Sequence, residues 1–548
     1  MNCFRKFFSA TVLILFTFFL SLGLSAADVA VISREAGYYS SLGKHLVRWL
    51  KQESVEADFA EKDELAKALK TAKLAFLVGY DDVSEQEVRQ ISAFCARGGR
   101  LVVFYSASPR LAQLMRVKVV GYKSAQYPGQ WSSMNFSGTY PTGLPKTIRQ
   151  TSSVLQRAVP IKGKSRTIGV WHDRAGRSTG DAAVLVSSYG YWVTHVFLAD
   201  GDEAEKARLL GAMVGSVLPN RWNFTVHQKR VAAESAADRA YAMSLKPRTG
   251  EIRAVWDHSG CGLYPGNWPK TIAVLKTNGV TDLFVNVAGA GFAHYPSSVL
   301  PRSKIFEQEG DQLKACLGAA RGSGIRVHAW ILAFTATRAP KSVLEDFAKR
   351  GWRLKTNSGA LSEYLNPANA AVRNHILKAV DELQVKYPAI AGIHLDFVRW
   401  YEKSSKSATA SQTITAFVAS VKRRISNKRI FSAAVLGKYP SCVASVGQDW
   451  TAWISANIVD FVVPMDYTES EARFEEYLKQ HASLGGAARR KVIVGIGVTA
   501  NESRLTPKAV MRQILLVRKY GLAGVALFDL DRQLEVKILP NLRLGLWR

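Results

Sequence analysis

The sequence is poor in cysteine. Its 548 residues hold five, and Cys3 lies in a leader segment. Cys95, Cys261, Cys316 and Cys442 are widely spaced, with no CxxC pair. That excludes a disulfide-stapled scaffold and a zinc ribbon. Buried thiols are the expected state, with a Cys261–Cys316 or Cys261–Cys442 bridge as the alternative. The ten histidines form neither HxH nor HExxH, so the ligand spacings of common zinc hydrolases are missing. GxGxxG, Walker and GxSxG loops are missing too, so no cofactor and no metal are expected. No internal repeat marks a solenoid or propeller. After residue 24 no apolar run is both long and charge-free, so no integral membrane segment is expected once the leader is removed. Acidic residues are outnumbered, 44 against 73 basic, for a formal charge of +29. A chain this basic attracts polyanions such as acidic glycans or cell-wall polymer. It has no aromatic-basic nucleic-acid module, so nucleic acid is not an expected partner.

Apolar residue types, in contrast, make up 47% of the chain, ample for folded cores. Its length suits two or three domains. Arg5 and Lys6 precede an apolar run from Phe7 to about Leu24, closed by Ser25-Ala26-Ala27. This is the pattern of a secretory signal over 1–27, which places the mature chain in the periplasm or outside the cell. Residues 28–222 alternate strand-like and helix-like segments, the rhythm of a flavodoxin-like parallel α/β domain. A polar, Ala-rich stretch follows, read as a linker over 223–250.

From 251 to 548 eight strand-like runs recur, each usually followed by a helical stretch. They are 252–257, 281–287, 325–332, 390–398, 430–436, 458–465, 492–498 and 524–529. Near-continuous Val, Ile, Leu and Phe suits parallel strands covered by helices, and eight such units match a (β/α)8 barrel. Barrel chemistry sits at the carboxyl ends of the strands. Standing there are Trp256, Asp257 and His258, Asn286, then His294 and Tyr295 in the next loop. His328 and Trp330 follow on the third strand, Asp396 and Arg399 on the fourth, and Asp449 beyond the fifth. Asp466 and Tyr467 end the sixth, Asn501-Glu502 follows the seventh, and Asp529 ends the eighth.

Asp396 is the sharpest of these, because a carboxylate in an apolar strand must be paired, hydrogen-bonded or functional. Strand parity puts His394 on its side and Arg399 on the other unless the strand end bends. His328 and Trp330 share a parity. They suit a sugar hydroxyl and a pyranose face, though a satisfied core histidine fits His328 equally well. With metal and nucleotide motifs missing, acid–base chemistry between carboxylates remains, as in glycosidases.

Two resemblances add to this reading. "LAFLVGYDDVSEQEVRQISAFCARGGRLVVFYSAS" resembles the class I glutamine-amidotransferase-like domains. The turn that would hold their cysteine reads Tyr105-Ser106-Ala107-Ser108, so the resemblance implies a non-catalytic domain. The stretches "RAVWDHSGCGLYPGNW", "AHYPSSVLPRS", "GIRVHAW", "LNPAN", "GIHLDFVRW", "VGQDWTAWI", "VDFVVPMDYT" and "GVALFDL" resemble glycosyl-hydrolase-like family 10. That resemblance implies a TIM barrel hydrolysing glycosidic bonds in a polysaccharide: peptidoglycan glycan strands or another acidic envelope glycan. It implies catalysis by Asp396, with Asn366, Arg399 and Tyr467 near the sugar. The second carboxyl is sought among Asp466, Asp257, Asp449 and Glu502, in that order. The rival readings are a non-catalytic glycan-binding protein on a degenerate barrel and a basic scaffold docking a polyanion.

Overall fold

The computed structural model describes residues 27–34, 37–198, 202–402 and 409–548. The expected signal segment lies outside these, except for Ala27. The chain divides into two compact units, 1–232 and 233–548. Helix Phe224–Ser244 occupies most of the expected linker.

The first unit is built on a nine-stranded sheet. Strands Asp58–Glu61, Val29–Ser33, Leu74–Val78, Arg100–Phe104 and Gly190–Val193 lie side by side and pair in parallel. Leu74–Val78 is buried along its whole length, as expected of a strand covered on both faces. The following helix, Glu85–Ala96, starts at a capping box in which the Ser84 hydroxyl accepts from the Glu87 amide and the Glu87 carboxylate accepts from the Ser84 amide. The sheet then changes character. Ser178–Ser187, Ser165–His172, Trp131–Phe136 and Thr147–Ser152 continue it antiparallel. A purely parallel α/β reading of 28–222 therefore holds for the first half, and the sheet as a whole is mixed. The turn Tyr105-Ser106-Ala107-Ser108 caps the fourth parallel strand, with Tyr105 at a φ of 49°.

The second unit is the barrel. Its strands are β1 (Ile252–Asp257), β2 (Asp282–Gly289), β3 (Arg326–Leu332), β4 (Gly392–Asp396), β5 (Ile430–Leu436), β6 (Phe461–Met465), β7 (Ile493–Gly497) and β8 (Gly524–Phe528). Each pairs in parallel with its neighbours, and β1 closes the ring by pairing with both β2 and β8. Side chains alternate across the wall. Ala254, Trp256, Phe284, Trp330, Leu332, Val463 and Ala526 fill the lumen. Val255, Leu283, Val285, Ile393, Leu395 and Val494 face the surrounding helices. Cys95, Cys316 and Cys442 are buried free thiols, and Cys261 is buried. Among the described residues no helix is long and apolar enough to cross a membrane.

Candidate active site at the barrel mouth

The lumen beneath the mouth is filled by a ring stack that fixes the fourth strand. An indole nitrogen can only donate, so the 3.0 Å contact from Trp256 Nε1 makes His394 Nε2 an acceptor. The His394 proton therefore sits on Nδ1, which donates to Ser432 Oγ at 2.9 Å. The imidazole also stacks on Phe284, 4.1 Å between centroids at 17°. Complete burial pushes His394 well below the usual histidine range, so it stays neutral and structural. It locks the strand that delivers Asp396 two residues later.

Asp396 ends β4 and is 5% exposed. Its Oδ1 accepts from the Phe397 amide at 2.6 Å and from Arg399 Nη2 at 2.7 Å. Among the described residues both hydrogen bonds to this carboxyl fall on Oδ1. Phe397 has a φ of 52°, a left-handed conformation that costs a bulky residue energy. This bend brings Arg399 back onto Asp396, against simple strand parity. The guanidinium lies over the Phe397 and Tyr401 rings, 4.6 and 5.3 Å from their centroids, and donates to Tyr401 Oη at 2.7 Å. Tyr364, from the hairpin between β3 and β4, stacks on Tyr401 at 4.0 Å and 11°. The Asp396–Arg399 pair is thus held from below by the strand and from the side by three rings.

Across the mouth stands Tyr467, stacked on Phe528 at 5.5 Å. Burial pushes its phenol well above the usual range, and the charges of Asp396, Asp529 and Glu502 push it further. Asp529 Oδ1 accepts from the His258 amide at 3.1 Å and the Leu530 amide at 2.7 Å. Burial, with Asp257 and Asp531 nearby, pushes its carboxyl up to about 8. Asp529 therefore keeps its proton at neutral pH. The His258 ring lies 5.9 Å from Trp330 and 5.8 Å from Phe528. His258 stands exposed at the rim, where the surrounding rings and the Arg338 charge push it below its usual range. Arg338 donates to Asn286 Oδ1 at 2.8 Å and to the His258 carbonyl at 3.3 Å.

The structure thus gathers Trp256, His258, Asn286, Trp330, Asp396, Arg399 and Tyr467 in or beneath one opening. Trp256 and Trp330 are 1% and 3% exposed, which makes them its floor instead of open platforms. The other expected residues stand elsewhere. Asp257 points to the outer face of the wall, fully buried. It accepts from Ser259 Oγ and the Gly260 and Gly262 amides, which shapes the loop after β1. Asp466 also points outward, onto His481 Nε2 at 2.8 Å, with both side chains at 0% exposure. Asp449 caps helix Trp450–Ser455 by accepting from the Ala452 amide. Asn366 closes a turn by accepting from the Ala368 amide. His328 lies deeper in the lumen, its Nε2 2.8 Å from Asp282 Oδ1 at the start of β2. His294 contacts Ser303 Oγ at 2.6 Å, and Tyr295 donates to Glu382 Oε2 at 3.0 Å. Arg338, Tyr364 and Tyr401 are mouth residues that sequence reasoning did not name, and Asp529 was placed at the end of the eighth strand but not among the candidate acids. Asp529 alone carried a signal, as a carboxylate directly after the last barrel strand. Among the described residues no group of three His, Cys, Asp or Glu is placed to hold a metal ion.

Residues 251–413 match the family model described as Glycosyl hydrolase-like 10. No curated protein matches the chain. Three similar solved structures are remote. The PgaB (BpsB) glycoside hydrolase domain from Bordetella bronchiseptica is 13% identical, covering 54% of this chain and 98% of that one, with a TM-score of 0.41. The spore cortex-lytic enzyme SleL of Bacillus cereus is 11% identical over 55% of this chain and 74% of its own, at 0.36. A chitinase from Rhizomucor miehei is 14% identical over 54% and 99%, at 0.36.

Proposed function

We propose that this chain is an exported glycosidase that cleaves a polysaccharide at the barrel mouth, with Asp396 and Asp529 as its two working carboxyls. The observation that carries the reading is the contrast between them. Asp529 is pushed up to about 8 and holds a proton, whereas Asp396 is ion-paired with Arg399. A pair of carboxyls with opposite roles is what glycoside hydrolysis requires. The glycosyl-hydrolase-like match over 251–413 supports the same chemistry, and that segment includes Asp396.

In this mechanism the Asp396 carboxylate attacks the anomeric carbon or stabilises the oxocarbenium ion. The Asp529 carboxyl gives its proton to the leaving oxygen; water then attacks the anomeric carbon, releases Asp396 and returns a proton to Asp529. Tyr467, whose phenol stays protonated, donates a hydrogen bond to the sugar as charge moves. Arg399 fixes Asp396 in place, and Arg338 with Asn286 binds sugar oxygens at the β2–β3 side. The basic composition and the leader favour an anionic or cell-wall glycan in the periplasm or outside the cell.

A second reading, glycan binding on a degenerate barrel, draws on one observation. Asp466 and Asp257, the first carboxylates expected beside Asp396, both point away from the mouth. Wild-type protein and Asp396→Asn are to be incubated with denuded peptidoglycan and with acidic and neutral polysaccharides, and new reducing ends assayed. Release by wild type, cut roughly 10²–10⁴-fold in the variant, is expected. Retention of glycan by both without release establishes the binding reading instead.

A further inference from the structure

A cavity of about 460 Å³ opens on the flank of the barrel unit, outside the mouth. It lies between the loop after β2, at Ser298–Pro301, and helix Lys341–Lys349 after β3. Its volume falls within the roughly 300–1,000 Å³ of small-molecule sites. None of the residues given a part in the mouth lines it.

Its walls offer two kinds of surface. One is apolar: Val299, Leu300 and Val343 stand with Phe347, Trp352 and His375. The three rings cluster at 5.0, 5.9 and 5.2 Å between centroids. The other is polar and mixed in character. His375 Nε2 donates to the Ala290 carbonyl at 2.9 Å, which leaves Nδ1 as a lone-pair acceptor. Burial pushes His375 below its usual range, so that acceptor persists at neutral pH. The Trp352 indole N–H has no hydrogen-bond partner among the described residues. At the rim Asp346 and Arg350 pair at 2.9 Å, beside the exposed Ser342 hydroxyl.

An apolar ligand would cover the indole donor and the imidazole acceptor without pairing either, which costs binding free energy. An anion would meet the Asp346 carboxylate and the imidazole lone pair. A hydroxylated ring meets both demands, because a hydroxyl donates and accepts while the C–H face of a sugar lies against aromatic and aliphatic walls. We propose that this flank cavity is a second carbohydrate-binding site, separate from the mouth, which holds a mono- or disaccharide segment of neutral sugar. It binds glycan without cleaving it, beside the β2–β3 side of the opening.

The test is calorimetric titration of the full chain with cello-, xylo- and chito-oligosaccharides. Ser342→Trp fills the cavity from an exposed helix position, and Asp346→Ala removes a rim acceptor. Unchanged melting temperatures show that both variants fold. At least one oligosaccharide should bind wild type and the Asp396→Asn variant. Its affinity should fall about tenfold or more in Ser342→Trp, and less in Asp346→Ala. The readout is binding, so it stands whether or not the chain proves to be a hydrolase. Absence of binding by every sugar, equal binding in both cavity variants, or loss confined to Asp396→Asn would each overturn the proposal. So would displacement of the bound sugar by an unrelated peptide.

Discussion

At the scale of single residues, the neighbours of one carboxyl decide its charge. Asp529 has an ordinary value of 3.8 and is pushed up to about 8. The folded chain therefore holds a proton that the unfolded chain releases between those values. Stability contributed at this position is intact below about 4, falls as pH rises through the window, and levels off above about 8. Asp529→Asn removes the titration. Its melting temperature should match wild type near pH 4 and exceed it increasingly up to pH 8, as followed by thermal unfolding across that range. The sequence made Asp396 legible, because a carboxylate inside an apolar strand has few structural excuses. It placed Asp529 at the last strand end but not its role as acid, because its proton depends on burial that only the closed ring creates and on Asp257 and Asp531. Asp466 and Asp257 face away from the mouth for a simpler reason. Each is adjacent to a residue that faces the lumen, Tyr467 and Trp256, and adjacent strand residues point to opposite faces.

At the scale of elements, the outward acids are part of how helices are fastened to the wall. Asp466 leaves β6 on its outer side and meets His481 of helix Glu471–Ala482 at 2.8 Å. Both are fully buried, so removing one partner strands the other in an apolar layer. His481→Ala should cost about 3–5 kcal/mol in denaturant unfolding, while the turnover of the protein that remains folded is unchanged. A selective loss of turnover at wild-type stability would return Asp466 to the catalytic machinery. The barrel strands themselves were readable to within a few residues, because buried parallel strands are nearly unbroken runs of Val, Ile, Leu and Phe. The antiparallel half of the first unit was less so. After Val117, Val117–Ser124 alternates exposed and half-buried residues, and Ser178–Ser187 opens with Ser, Thr, Gly and Asp before its buried Ala183–Val186 run, so neither reads as a core strand throughout.

At the scale of the whole molecule, the chain carries a formal charge of +29 over 548 residues, which draws it to polyanions. Attraction between exposed charges is screened by salt, whereas contacts in the mouth are screened much less. Affinity for an anionic polysaccharide should therefore fall steeply from low to high ionic strength, and affinity for a neutral glycan should change little. Co-sedimentation across a salt series reads both. Salt-insensitive binding of an anionic glycan would show that the basic surface takes no part in capture.

The measurement that bears most directly on the central claim is the pH dependence of kcat/KM on the polysaccharide that yields reducing ends. The free enzyme must hold the Asp529 proton to act as acid. The profile should therefore fall as pH rises through about 8, and Asp529→Asn should lose activity at every pH. A profile that stays flat through pH 8, or an Asp529→Asn enzyme as active as wild type, would contradict the assignment of the two carboxyls.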